Sequence, residues 1–352
     1  MSRAPRRAEP EPEPNPPVWR WGRPPKPPKQ IRPLGPTSPH VWSLEPTHGC
    51  NLRCGHCNCR LDPLPKTFHF MDEETWLAAW RIIVKLAPTR RSDLAVGGEP
   101  TLHPELPRLL SIARRTSPQT QIQITTNGTK LRDGTWTYRQ LLDAGANVVY
   151  TDMYGPHEEF VRMAEASGYP WFEYYRKPEG AWSPWTYHGP ELKLIVLQEQ
   201  PEHWPASRFR AGLLGTWYNH LDWPAAERFG LRPVTEPLTR RCNQPFLYVT
   251  IDSRGRYLLC CQDNTGESAV EEFGNVRDGI AGFKRFWYGA KMQTIRRRLR
   301  EKDRAGTTYC SRCCVTFSRC DFRHWTDAQV NTFWDSADWR PLGDDAPLAG
   351  DA

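Results

Sequence analysis

The sequence predicts an α/β fold, a βα-repeat barrel or an open doubly wound sheet, joined to a small second domain organised by cysteine. Three observations predict it. From residue 41 to about residue 200, short β-type runs alternate with amphipathic helical stretches. After about residue 236 that rhythm gives way to a hairpin pattern and a basic helix. The 11 cysteines fall in two groups, four within 50–59 and seven within 242–320.

Taken in order, VWSLE (41–45) is the first strand. DEETWLAAWRIIVKLA (72–87) is a helix opened by Asp72, with Trp76, Leu77, Trp80 and Val84 near helical spacing. DLAV (93–96), QIQIT (121–125) and NVVYT (147–151) read as strands, separated by helical segments at 104–115, 135–144 and 157–167. WFEYY (171–175) and LKLIVL (192–197) continue the pattern. Such alternation implies parallel pairing, and parallel sheets gather ligands at the carboxyl ends of their strands. Further on, FLYVTI (246–251), the turn DSRG (252–255) and RYLLCC (256–261) form a hairpin pattern, followed by one long basic helix at about 280–301.

Residues 1–40 hold 13 of the 34 prolines, which predicts an extended leader without regular structure. That leader carries eight Lys or Arg against three Glu, hence five of the formal +7 charges, so the basic pI is weak support for nucleic-acid binding. No apolar h-region stands at the start, and no run approaches the roughly 18–20 apolar residues of a membrane span. A soluble, cytoplasmic protein with reduced, metal-binding cysteines is expected, rather than a disulfide framework. The chain divides into the leader (1–40), a core (41–235), a cysteine domain (236–328) and a C-terminal tail (329–352).

Cys50, Cys54 and Cys57 stand at C-x3-C-x2-C directly after the first strand. Three thiolates from one loop suit an iron–sulfur cluster with one iron left open, whereas zinc usually takes four ligands. Gly97-Gly98-Glu99-Pro100 closes the next strand: glycines let backbone approach a ligand, and Glu99 can accept hydrogen bonds from a cationic group. In this order the motifs resemble those of the radical S-adenosylmethionine (radical SAM) superfamily, CxxxCxΦC, with His56 in the aromatic place, followed by GGEP. The resemblance implies a partial (β/α)6 TIM-like barrel and a [4Fe–4S] cluster on the three cysteines. It also implies S-adenosylmethionine (SAM) on the open iron, its amino group held by the GGEP segment, and reductive cleavage to a 5′-deoxyadenosyl radical that abstracts a substrate hydrogen. Asn127 in TTNGT (125–129), Asp152 and Arg176 occupy places where the family contacts SAM. Cys59 reads as a spare thiol.

Cys242 and Cys260 flank the predicted hairpin, with Gly255 at its turn, and Cys310 and Cys313 form CxxC. Four such thiolates suit zinc or a second cluster, and spacing alone does not separate the two. CX12GX4C followed by CX2C resembles the SPASM or twitch extension of radical SAM enzymes. Cys320 comes one residue late for the two-cluster pattern, His324 stands at the next place, and no cysteine follows. The resemblance therefore implies one auxiliary [4Fe–4S] cluster on Cys242, Cys260, Cys310 and Cys313. Cys261 and Cys314 are extra, either small hydrophobes or hydrogen donors to a substrate radical.

The expected function is dehydrogenation or epimerisation of a polar small molecule. The alternatives are modification of a peptide or protein side chain, and RNA modification through IRRRLR (295–300). An electron donor such as flavodoxin or ferredoxin is the expected partner. Trp182, Trp185, Tyr187 and His188 are candidate substrate contacts, and Glu173, His188 and Asp263 are candidate bases.

Overall fold

Apolar, β-branched strands covered on both faces pair in parallel, and they do so here. The computed structural model describes residues 41–54, 68–86, 90–174, 188–199, 244–261 and 273–311, with single positions that include Cys242, Asp263, Ser268 and Cys313. The leader, but for Pro39, and the tail lie outside the described residues. β1 (Val41–Leu44) is followed by a short antiparallel pair, β2 (Thr47–His48) and β3 (His69–Phe70), that brackets the cysteine loop. β4 (Arg91–Leu94), β5 (Gln121–Thr126) and β6 (Val148–Met153) then pair in chain order beside β1, all parallel. The order breaks once. β7 (Trp171–Glu173), only three residues long, lies outside β8 (Leu194–Glu199), and it is β8 that pairs with β6.

The second part is not separate from this sheet. Its strand β9 (Tyr248–Ile251) pairs in parallel with β1, and β10 (Tyr257–Leu258) closes the predicted hairpin antiparallel to β9. Gly255 makes the turn: its φ is 78°, and a Cβ there would lie 2.7 Å from the Thr75 methyl group.

Helices cover one side of the sheet. α1 (Glu73–Leu86) starts where Asp72 caps it, its Oδ1 accepting from Thr75 N at 2.8 Å. α2 (Leu106–Thr116), α3 (Thr129–Arg132), α4 (Tyr138–Ala144) and α5 (His157–Ser167) follow, α4 opened by a capping box between Thr137 and Gln140. Trp76, Trp80, Leu110, Leu142 and Phe160 bury the helical face against the strands. After the short α6 (Gln244–Leu247), the expected single basic helix is two, α7 (Gly279–Tyr288) and α8 (Ala290–Arg300). Gly289 separates them in extended conformation, ψ 154°, with no room for a side chain: a Cβ would meet Arg285 O at 2.0 Å. α7 lays Phe283 against Trp42 and stacks Phe286 on Tyr257 at 4.5 Å, which fixes the second part to the first. Arg296, the first arginine of the basic run, is buried over Trp287 at 4.1 Å and donates to Pro245 O. Burial lowers its pKa to about 9. A last short helix is α9 (Thr308–Ser311).

The other face of the sheet has two halves. Register sets Thr250, Ser43, Asp93, Gln123, Val148 and Leu194 in one buried row across six strands. Val148 and Leu194 join Tyr150, Phe172, Tyr174 and Val196 in an apolar cluster of their own. The polar half is tied by Arg91, which donates to both Asp93 oxygens at 2.7 and 2.9 Å. Among the described residues no helix is long and apolar enough to cross a membrane.

Candidate functional site

The loop that carries Cys50 and Cys54 leaves the carboxyl end of β1, where a parallel sheet collects ligands. Its backbone lies directly on the GGEP segment. Glu99 N donates to Gly49 O at 3.0 Å, and Gly49 and Gly98 form an isolated parallel bridge. A Cβ on Gly98 would sit 1.9 Å from Thr47 O and 2.8 Å from Gly49 O, so no residue but glycine fits. The two motifs recognised in the sequence are thus one contact.

Cys50 Sγ accepts from Leu52 N and from Asn127 Nδ2, each at 3.4 Å. Asn127 Nδ2 also reaches Asn51 Oδ1 at 3.0 Å, while its Oδ1 accepts from Thr129 N and Oγ1 at 3.0 and 2.7 Å. Asn127 therefore fastens the cysteine loop to the end of β5. Hydrogen bonds donated to sulfur favour the thiolate, the form that binds iron. Cys50 and Cys54 are partly exposed. His56, Cys57 and Cys59 lie outside the described residues.

Glu99 is held by donors of its own chain. Its buried carboxylate accepts from Thr101 N, Thr101 Oγ1, Thr126 Oγ1 and Asn127 N at 2.9, 2.5, 2.7 and 2.7 Å. Burial pushes this carboxyl above the usual range against those four donors. Pro100 starts a 3-10 turn with Glu99 as its cap. Gly97 N in turn donates to Glu45 Oε1 at 3.0 Å.

Glu45 is the residue that sequence reasoning missed. It is 2% exposed, and its second oxygen accepts from Ser253 N at 3.0 Å, in the hairpin turn of the second part. One carboxylate thus joins β1, GGEP and DSRG. The available signal was a carboxylate ending an otherwise apolar strand immediately before the cysteine loop.

Cys242, Cys260, Cys310 and Cys313 line one cavity, with Arg304 and Tyr309 in its wall. All four are buried. Burial pushes the Cys242 thiol up to about 11 and those of Cys260 and Cys310 well above their ordinary value. Thiolates form in such a place only when a cationic centre compensates them, as iron would. Among the described residues no three His, Cys, Asp or Glu side chains are close enough to grip one ion. Four thiols that converge on one cavity are a donor set that suits a cluster.

The remaining candidates are dispersed. Asp152 lies at the carboxyl end of β6, opposite Gln198 and on the same face as Tyr150. His188 donates its backbone N–H to Gln121 Oε1 at 2.6 Å, which holds it near the amino end of β5, the other end of the strand from Asn127. Glu173 pairs with His157 at 3.4 Å on the edge strand. Asp263 is fully buried and accepts from Ser268 N at 2.8 Å. Cys261 Sγ donates to Gln244 Oε1 at 3.2 Å beside the four-thiol cavity. Arg176, Trp182, Trp185, Tyr187, Cys314, Cys320 and His324 lie outside the described residues.

Comparison with known proteins matches this geometry. Residues 44–178 fit the family model of the radical SAM superfamily, and residues 242–314 fit that of SPASM, an iron–sulfur cluster-binding domain. The 7,8-dihydro-6-hydroxymethylpterin dimethyltransferase of Methanocaldococcus jannaschii is 28% identical over 117 residues, 33% of this chain and 22% of that protein. The chain thus aligns with only about a fifth of the curated relative's length. Among solved structures, BtrN in complex with AdoMet and 2-DOIA has a TM-score of 0.54 at 17% identity, over 77% of this chain and 91% of that one. SuiB of Streptococcus suis bound to S-adenosylmethionine has a TM-score of 0.37 at 14% identity, over 74% and 68%. The first domain implies SAM and a [4Fe–4S] cluster, and the second implies auxiliary iron–sulfur ligation. Two matched domains in this order, on a parallel α/β sheet, make the chain a member of the radical SAM superfamily with a C-terminal SPASM domain.

Proposed function

We propose that this chain dehydrogenates or epimerises a polar small molecule, with a [4Fe–4S] cluster on Cys50, Cys54 and Cys57 and one auxiliary cluster on Cys242, Cys260, Cys310 and Cys313. When bound, the first cluster and SAM supply one-electron reductive cleavage and hydrogen-atom abstraction. The observation that carries the reading is Glu45, a single buried carboxylate that braces both the GGEP segment beside Cys50 and the hairpin of the four-thiol site. Two thiol sites in one frame suit a reaction that needs both.

The chain's own residues prepare the rest. Asn127 and Leu52 donate to Cys50, and Asp152, at the carboxyl end of β6, is the residue we assign to a polar group of SAM. The buried row on the inner sheet face favours a small polar substrate: Gln123 is fully buried, and both atoms of its amide are without a hydrogen-bond partner among the described residues. The small ligands in the printed names of BtrN's complex and of the pterin dimethyltransferase point the same way. Cys261 separates the two outcomes, because an epimerase must return a hydrogen atom to the substrate. Cys261→Ala is expected to abolish epimerisation and to spare dehydrogenation.

The test is anaerobic reconstitution of the full chain, an iron count, and a search for 5′-deoxyadenosine after addition of dithionite and SAM. About eight iron atoms per chain, with cleavage abolished by Cys54→Ala, are expected. About four would remove the auxiliary cluster from the reading, and bound zinc without iron would overturn it.

A further inference from the structure

The inner face of the sheet carries one side chain that the fold leaves unused. Gln123 is 0% exposed, and both polar atoms of its amide lack a hydrogen-bond partner among the described residues. A buried amide with neither donor nor acceptor matched is costly, and it calls for a partner from outside the fold. Its surroundings differ on the two sides. Register sets Asp93 of β4 on one flank and Val148 of β6 on the other. Asp93 is held by Arg91 through both oxygens, so the charge on that flank is already matched. Val148 belongs to the apolar cluster with Leu194, Tyr150 and Phe172. Cover thins from here toward the carboxyl ends of the strands. The Asp93 side chain is 13% exposed. Thr125, which follows Gln123 on the same face, is partly exposed, as is Asp152 on β6. Gln123 thus lies at the foot of an approach from the end of the sheet where GGEP and Cys50 stand. It is four residues, about 13 Å, below Asn127 on the same strand.

We infer that Gln123 selects the substrate, by pairing with a neutral ring that carries a hydrogen-bond donor and an acceptor on adjacent atoms, as the edge of a lactam does. A carboxamide presents an N–H and a C=O side by side, so it meets such an edge with two parallel hydrogen bonds. The pairing of Asp93 with Arg91 leaves no excess charge on that flank to hold an anionic group, and Val148 with Leu194 takes the apolar side of the ring. Gln123 holds the end of the substrate remote from the SAM site. It therefore sets specificity and takes no part in hydrogen abstraction. The inference rests on the small polar substrate proposed above and names the group by which that substrate is held. Iron content and SAM cleavage in the unaltered chain report on that reading, and the binding of a probe reports on this one.

The probe is 2-piperidone, a six-membered lactam, followed by saturation-transfer NMR on the reconstituted full chain. N-methyl-2-piperidone, which lacks the donor, is its control. The unaltered chain is expected to bind the lactam and to bind the N-methyl form at least about fivefold more weakly. Gln123→Met is expected to weaken lactam binding by a similar factor and to melt no lower than the unaltered chain, because the amide it loses serves no contact in the fold. Equal lactam binding by the unaltered chain and Gln123→Met, or binding by neither, would overturn the inference. If Gln123→Met and Gln123→Leu both melt lower or fail to fold, the amide is matched within the fold by an ordered water, and the inference falls. Lactam binding lost from both variants at an unlowered melting temperature leaves it standing.

Discussion

The two thiol sites share a sheet and differ in almost everything else. Cys50 and Cys54 are partly exposed on a loop, and Cys50 is oriented by amide hydrogens from Leu52 and Asn127. The other site draws four buried cysteines from three segments of chain into a cavity whose wall includes an arginine. The difference is that between an open position and a closed one. Partly exposed ligands suit a site that exchanges what it binds, whereas metal held by buried cysteines contributes to folding free energy.

The sharpest way to break that comparison is to remove one ligand from each site. Cys260→Ala leaves a void and removes one of four buried thiols from the cavity, and is expected to cost about 3–5 kcal/mol together with about four iron atoms. Cys54→Ala is expected to lose a similar amount of iron and abolish SAM cleavage, with a stability change within about 1 kcal/mol. Thermal melts alongside iron counts decide it. Equal losses of stability would mean that the first site is as structural as the second.

The glycines give a smaller but still large contrast. Gly98→Ala forces a methyl group against the carbonyls of Thr47 and Gly49, which are backbone and cannot swing aside. Loss of SAM cleavage with a cost of about 1–3 kcal/mol is expected. Gly255→Ala has to adopt φ 78° and displace the Thr75 methyl group, at about 1–3 kcal/mol, with first-site chemistry retained. SAM cleavage surviving in Gly98→Ala would separate the GGEP segment from the cysteine loop.

Glu45→Gln comes next in size, because it touches both sites without removing a ligand. The amide keeps one acceptor and turns a donor toward either Gly97 N or Ser253 N, where a donor already stands. A loss of about 1–3 kcal/mol is expected, with SAM affinity and auxiliary iron content both reduced. An effect confined to one site would show that the carboxylate does not couple them.

These residues also mark what the sequence could and could not disclose. Cysteine spacing and GGEP were legible because loop ligands are local in the chain, and the strand-helix rhythm was legible because period is local too. Edges were less so: DLAV was expected at 93–96, whereas β4 occupies Arg91–Leu94, whose first residue starts the ion pair to Asp93. The parallel pairing of β9 with β1 joins residues some two hundred positions apart, and no local pattern encodes it. Glu45 was invisible for the same reason, since it is a single charge whose meaning comes from distant partners. Glu99 was legible as a motif residue, but its donors from Thr101, Thr126 and Asn127 were not, because two of the three lie on another strand's end. IRRRLR puts Arg296 on Trp287 inside the fold and leaves Arg297 exposed, a division that charge alone does not disclose.

The smallest effect tests the open site by itself. Asn127 Nδ2 donates to Cys50 Sγ, and hydrogen bonds to cluster sulfurs stabilise the reduced, more negative state. Asn127→Leu removes that donor while keeping a side chain of similar size. A neutral hydrogen bond of about 0.5–1.5 kcal/mol bounds the shift at no more than about 60 mV for a one-electron couple. The SAM-sensitive midpoint should move to a more negative potential, and the SAM-insensitive one should stay where it is. A movement of both would mean that the sheet transmits what happens at the loop to the buried cavity, so that the two sites are one electrostatic unit. A movement of neither would reduce the Asn127 contact to loop anchoring through Asn51 and Thr129.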